Sequence, residues 1–255
     1  MNISIRHQRW ASAALQRHVA PVVSLITTLL VMHGAASLAA EGVDLRRQPV
    51  IEGNAEAAID KNAVCGGCHG PDGNSLVPDF PSLAGQSATY LYLQLRAFKT
   101  GSRPSEIMKP QVESLSDQDM KDLAAYYASL SPKASGSPAS DGAVDAGRDL
   151  FVLGDVTRGI PPCQGCHGAT AQGVQSAEQV PGRPATAWHT YPTLAGQQVG
   201  YIVAQLKAYQ AGTRVDSINA CIMHIVAQAL DEESMQQVAA YVSQLPRGSS
   251  FVDER

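Results

Sequence analysis

Two pentapeptides constrain this chain more than anything else in it: Cys65-Gly66-Gly67-Cys68-His69 and Cys163-Gln164-Gly165-Cys166-His167. A redox-active Cys-x-x-Cys has no use for the following histidine, and a four-cysteine zinc site ignores it. Covalent haem attachment needs all three residues: two thiols add across the vinyl groups, and the adjacent imidazole reaches the iron from one side. The pattern predicts two covalently attached haem c groups, held through Cys65, Cys68, Cys163 and Cys166, with His69 and His167 as the iron ligands on that side.

The chain around these motifs is a tandem repeat. Cys65 and Cys163 lie 98 residues apart. Phe80-Pro81-Ser82-Leu83-Ala84-Gly85-Gln86 then matches Tyr191-Pro192-Thr193-Leu194-Ala195-Gly196-Gln197 at an offset of 111, and Tyr90 to Arg103 matches Tyr201 to Arg214 at the same offset. Leu115 to Leu130 matches Leu230 to Leu245 at an offset of 115. The second copy therefore carries 13 extra residues before Pro192 and four more before Met223. Self-similarity on this scale means two copies of one folding unit. The Ser/Pro/Gly-rich stretch 132–142 reads as a flexible linker between them. It separates a first domain over 41–131 from a second over 143–247, with a short tail at 248–255.

Each copy reads as helical. Ala55 to Val64 is alanine-rich and runs into the first haem motif. Ser87 can cap a helix through Lys99, with Leu91, Leu95 and Phe98 at helical spacing and Gly101 as its stop. Ser116 can cap another, with Leu123, Tyr127 and Leu130 on one face. No alternating strand pattern of useful length occurs, so the fold class is all-α, each unit a small helical fold wrapped around its haem. Aromatic residues make up only 5% of the chain, and a haem plate buried in each unit accounts for how so few suffice.

The N-terminus has the layout of an export signal. Arg6, Arg9 and Arg17 precede an apolar stretch from Val19 to Met32, and the small residues from Gly34 to Ala40 follow, with no acid before Glu41. Cleavage after Ala39 makes residues 1–39 a secretion signal peptide and the periplasm the destination. An uncleaved anchor is the competing reading, but the apolar run is short of the ~20 residues a spanning helix needs. Losing 1–39 removes three arginines and no acid, leaving 16 basic against 23 acidic side chains. An acidic exported chain excludes nucleic acid as a partner and suits a basic patch on a redox protein, with peripheral membrane association as an accessory contact.

The sixth iron ligand decides the chemistry, because an open position favours gas or peroxide chemistry and a filled one favours electron transfer. Beyond the signal region only His69, His167, His189 and His224 remain, and the first copy has no second histidine. Methionines do repeat: Met108 with Met223, and Met120 with Met235. Met120 and Met235 follow helix caps at the place where a side chain packs back on the residue before the cap, so they are expected in the core. Met108 and Met223 lie ahead of that helix, in a segment broken by Pro104 and Pro110 or lengthened by four residues. They are the expected axial ligands, and histidine–methionine ligation raises a haem's reduction potential. His224 corresponds to Lys109, so the repeat gives it no support as a ligand. His189 falls in the insertion, and Cys221 is expected to be a buried structural thiol. A haem-bound imidazole donates its other ring proton to an acceptor, and the Pro81 and Pro192 carbonyls are the expected acceptors.

Taken together, Cys-x-x-Cys-His-Gly, then Phe/Tyr-Pro-x-Leu-Ala-Gly-Gln, a lone methionine and Leu-x-x-x-x-Met-x-x-x-Ala-Ala-Tyr, twice over, resembles the dihaem cytochrome c4 family across essentially the whole mature chain. The resemblance implies two class I cytochrome c domains facing each other with haem propionates near the interface. It implies ligation by His69 and Met108 and by His167 and Met223. It also implies a periplasmic carrier taking electrons from a quinol-oxidising complex to a terminal oxidase. Two other functions compete: a haem-bearing subunit of a membrane dehydrogenase or oxidase complex, and a dihaem peroxidase. The last needs one accessible iron, and both copies offer a methionine at the same place.

Overall fold

A computed structural model describes residues 51–135, 139–173 and 190–247. The signal segment 1–39, the tail 248–255 and His189 lie outside the described residues. Among the described residues the chain is all-α, with a single isolated bridge between Asp155 and Ile160. No helix among them is long and apolar enough to cross a membrane.

In the first copy a short 3-10 turn, Glu56–Ala58, precedes α1 (Asn62–His69), α2 (Ala88–Thr100), α3 (Met108–Val112) and α4 (Asp117–Ser129). The alanine-rich lead-in is thus broken before the haem motif, where one helix over Ala55–Val64 was expected. The chain turns at Asp60 and Lys61 and starts α1 only at Asn62. The two caps form as the sequence predicts. The Ser87 hydroxyl accepts the Tyr90 N–H, and Ser116 and Asp119 form a reciprocal capping box at α4. Leu91, Met120, Leu123 and Tyr127 close the first core.

The second copy repeats the order as α5 (Asp141–Leu153), α6 (Gln164–His167), α7 (Val199–Gln210), α8 (Ile218–Gln228) and α9 (Glu232–Gln244). Its core joins Phe151, Ile160, Leu206, Met235 and Val242. Both Met120 and Met235 are core residues, 4% and 1% exposed, as their place after the caps predicts. Helix α5 crosses α9 at Gly147, where a Cβ would stand 1.9 Å from the Gln237 carbonyl oxygen. Only glycine lets the two backbones approach that closely. The four extra residues of the second copy extend the segment that is five-residue α3 in the first copy into eleven-residue α8.

The two copies meet across a pseudo-twofold arrangement visible in the hydrogen bonds. The Gln86 side chain donates to the Thr193 carbonyl and accepts the Thr193 N–H, both at 2.9 Å. Its counterpart Gln197 does the same to Ser82, at 3.0 and 2.8 Å. Farther along, Arg103 donates to the Tyr201 hydroxyl at 3.0 Å, and Arg214 donates to the Tyr90 hydroxyl at 3.1 Å. Gln94 and Gln205 each accept from both arginines. Each guanidinium also lies over a ring of its own copy, Arg103 over Phe98 at 4.5 Å and Arg214 over Tyr209 at 4.6 Å. Arg103 and Arg214 are 6% and 4% exposed, so these contacts operate in a largely dry interface.

Candidate haem centres

Each histidine of the two motifs ends a short helix and is buried, 7% exposed for His69 and 8% for His167. The helices stop because the next residue, Gly70 or Gly168, takes a positive φ of 84° or 80°. A Cβ there would come within 2.3 Å of the Asn74 carbonyl oxygen or 2.6 Å of the Gly173 one, which explains the glycine after each motif. The chain then doubles back and brings a proline carbonyl to the ring. His69 Nδ1 lies 2.8 Å from the Pro81 oxygen and His167 Nδ1 lies 3.1 Å from the Pro192 oxygen. A carbonyl only accepts, so Nδ1 carries the proton and Nε2 keeps its lone pair for a metal. Burial lowers both imidazole pKa values, with the proline carbonyl pulling weakly the other way, so the neutral ring that an iron needs is the favoured form. Phe80 and Tyr191 flank the two rings alike, at 6.4 and 6.3 Å between centroids.

A cavity opens beside each histidine. The first is lined by Cys65, Cys68, His69 and Met108, with Leu123 and Tyr127 behind them. The second is lined by Cys166, His167 and Met223, with Leu206, Ile202 and Tyr209. Cys163 sits one turn before Cys166, half-buried against the second core. Each cavity thus gathers thiol, imidazole and thioether groups, and neither is lined by Met120 or Met235. The attacking thiol of a redox dithiol needs a lowered pKa. Burial instead pushes Cys65 up and Cys163 up to about 11. Among the described residues no group of three or more His, Cys, Asp or Glu could hold a bare metal ion.

The donor set fits haem in a further respect. Tyr90, Gln94, Tyr201, Gln205 and Arg214 line both cavities, so the arginine cluster stands between them. Two buried guanidinium groups there meet one buried carboxylate, Asp216. That leaves a buried positive charge for anionic groups to neutralise, and haem brings its own carboxylates. The sequence reading did not single out Arg103, Arg214, Gln86 or Gln197. Their signal was polar residues recurring at one offset inside apolar segments.

The remaining expectations divide. Cys221 is exposed on α8 rather than buried, because the lengthened helix turns it away from the core. His224 is half-buried, with its Nδ1 2.6 Å from the Tyr209 carbonyl and its Nε2 3.1 Å from the Gln228 amide.

Two helical units, each closing a cysteine–histidine–methionine cavity against the other, define a dihaem c-type cytochrome. A cytochrome c family model matches residues 56–131 and again 144–246. Cytochrome c4 of Azotobacter vinelandii is 35% identical over 202 residues, which span 76% of this chain and 90% of that protein. The thiosulfate dehydrogenase electron acceptor of Thiomonas intermedia is 35% identical over 193 residues, 74% of this chain and 82% of that one. The structure of reduced recombinant cytochrome c4 from Pseudomonas stutzeri matches with a TM-score of 0.66 at 36% identity, over 76% of this chain and 100% of that one. The chain belongs to the cytochrome c4 family. It carries two covalently attached haem c groups and is an electron carrier, not an enzyme.

Proposed function

We propose that the two centres are closed, low-spin sites ligated by His69 and Met108 and by His167 and Met223, with thioether links through Cys65, Cys68, Cys163 and Cys166. Residues 1–39 are the secretion signal, and 41–131 and 143–247 are the two domains working in the periplasm, joined by the linker 132–142. The observation that carries this reading is that one methionine of each repeated pair lines a cavity beside its histidine while the other packs in the core. Bound haem iron supplies a one-electron couple. The chain's residues do the rest. The Pro81 and Pro192 carbonyls fix each imidazole and raise its basicity, and the two thioethers keep water and peroxide from the metal. A filled site changes little on electron transfer, which keeps the barrier low.

The donor on this reading is a quinol-oxidising complex and the acceptor a terminal oxidase. A second reading is favoured by the relative from Thiomonas intermedia, whose name makes it the electron acceptor of a thiosulfate dehydrogenase. In that case the chain serves as the haem-bearing partner of a dehydrogenase. The ligand assignment is tested by spectroscopy of the purified dihaem protein. The oxidised form should be fully low-spin with a methionine-to-iron charge-transfer band, and Met108→Ala or Met223→Ala should each remove half of that band. High-spin haem in the fresh protein overturns it. Stopped-flow reduction by a quinol-oxidising complex against a thiosulfate dehydrogenase separates the two donors.

A further inference from the structure

The pseudo-twofold interface is broken at one charged residue. Arg214 Nε donates to Asp216 Oδ1 at 3.2 Å, and their side chains are only 5% and 1% exposed. Two residues after Arg103, the first copy instead has Ser105, whose hydroxyl accepts the Met108 N–H at 3.1 Å. The next residue, Glu106, is exposed. Among the described residues Arg103 therefore meets amides, a phenol and a ring but no carboxylate. Asp216 lines the cavity of His167 and Met223 only, whereas Ser105 lines that of His69 and Met108.

We infer that Asp216 is a potential-setting residue that makes the two haem centres inequivalent, by lowering the reduction potential of the second site more than that of the first. The inference rests on the haem sites proposed above. Reduction adds one electron to a centre. A buried carboxylate beside it opposes that electron, and by neutralising Arg214 it also removes a cation that would favour it. Among the described residues no carboxylate of the chain offsets Arg103 beside the first centre. At an effective dielectric of about 20 a buried charge lining the cavity shifts a one-electron equilibrium by about tenfold, equivalent to ~59 mV. With so few charged groups in the interface, this difference is a direct way for the fold to give the two electrons separate energies and a preferred direction between the sites.

The test is a redox titration of the intact dihaem protein, with each site followed by magnetic circular dichroism and by its assigned haem-methyl NMR signals. Asp216→Asn should shift the second site about tenfold toward the reduced form and the first site much less. Asp216→Glu should restore the original value. Ser105→Asp, whose carboxylate can still accept the Met108 N–H, should move the first site in the opposite direction. An unmoved second site, a downward shift, or equal shifts at both sites in Asp216→Asn overturns the inference. If that variant does not fold, an unmoved first site in Ser105→Asp overturns it instead. The charge-transfer band recorded on the same samples separates the two ideas. Its absence from the wild type defeats the methionine ligation, whereas its presence with static potentials defeats the role of Asp216.

Discussion

Gln86 and Gln197 occupy the same place in the two copies, and each grips the backbone of the other copy with two hydrogen bonds, at 2.8–3.0 Å. Both side chains are buried, 4% and 3% exposed. The pair sits directly after the turns whose proline carbonyls hold His69 and His167. The contact that joins the domains therefore also braces the loops that aim the imidazoles.

Gln86→Ala leaves the N–H and carbonyl of Thr193 buried without their side-chain partner. An unsatisfied buried group costs about 1–3 kcal/mol, so the variant should lose roughly 2–4 kcal/mol in denaturant unfolding of the holoprotein. Gln197→Ala should lose as much by exposing the same groups of Ser82. The double variant should unfold in two steps, one per domain, where the wild type unfolds in one. A single unchanged transition would show that the grip contributes nothing to coupling.

Met108 and Met120 are 12 positions apart and have opposite expected responses. Met120 is 4% exposed within the first core, and truncating a buried methionine to alanine costs about 2–5 kcal/mol. Met120→Ala should therefore lower stability with no change in the charge-transfer band. Met108→Ala should abolish the first site's share of that band, create high-spin haem and admit peroxide, with a smaller loss of stability. Optical spectra and thermal unfolding on the same two samples decide the matter.

The repeat made much of this legible. The offset of 115 paired Met108 with Met223 and Met120 with Met235, and the helix caps then set the core pair apart from the cavity-lining pair. The Ser87 and Ser116 caps could be placed because a hydroxyl ahead of an apolar helical stripe has one local use. What could not be read was whatever depends on how one copy faces the other. Tyr90 and Tyr201, or Gln94 and Gln205, look in sequence like ordinary helix-surface residues. They become half-buried where the other copy covers them. Cys221 failed for a related reason: four added residues lengthened a helix and changed which face it presents.

Asp155 predicts an acid-sensitive loop. The Thr157 hydroxyl first, and the Arg158 guanidinium next, hold its carboxyl down at about 2, from an ordinary 3.8. Arg158 continues to Asp231 at 3.3 Å and Ser234 at 2.9 Å, fastening the loop to the start of α9. A carboxylate with a depressed folded pKa contributes stability that is complete above 3.8 and is lost as pH falls toward about 2. The group is within reach of solvent and screened, so the effect is small. Asp155→Asn should flatten the fall in thermal midpoint between those two pH values and leave the midpoint at neutral pH little changed. An identical acid slope in variant and wild type would remove this loop from the account.

Arg247 predicts a stabilising substitution. It is 6% exposed, and none of its three guanidinium nitrogens has a hydrogen-bond partner among the described residues. Burial alone holds its pKa down at about 10. At the equivalent place in the first copy stands Pro132, which packs against Gly85 as the Arg247 stem packs against Gly196. Among the described residues the second copy thus carries a buried cation with no partner where the first has an apolar ring, and an unpaired buried charge costs free energy that its stem's packing only partly offsets. Arg247→Leu keeps the stem contact with Gly196 and removes the charge. It should stabilise the protein by about 1 kcal/mol, a rise of about 2–4 °C in thermal midpoint for a chain of this size. Calorimetry of the holoprotein checks it, and a fall in midpoint would mean that the guanidinium has a partner this fold supplies in solution.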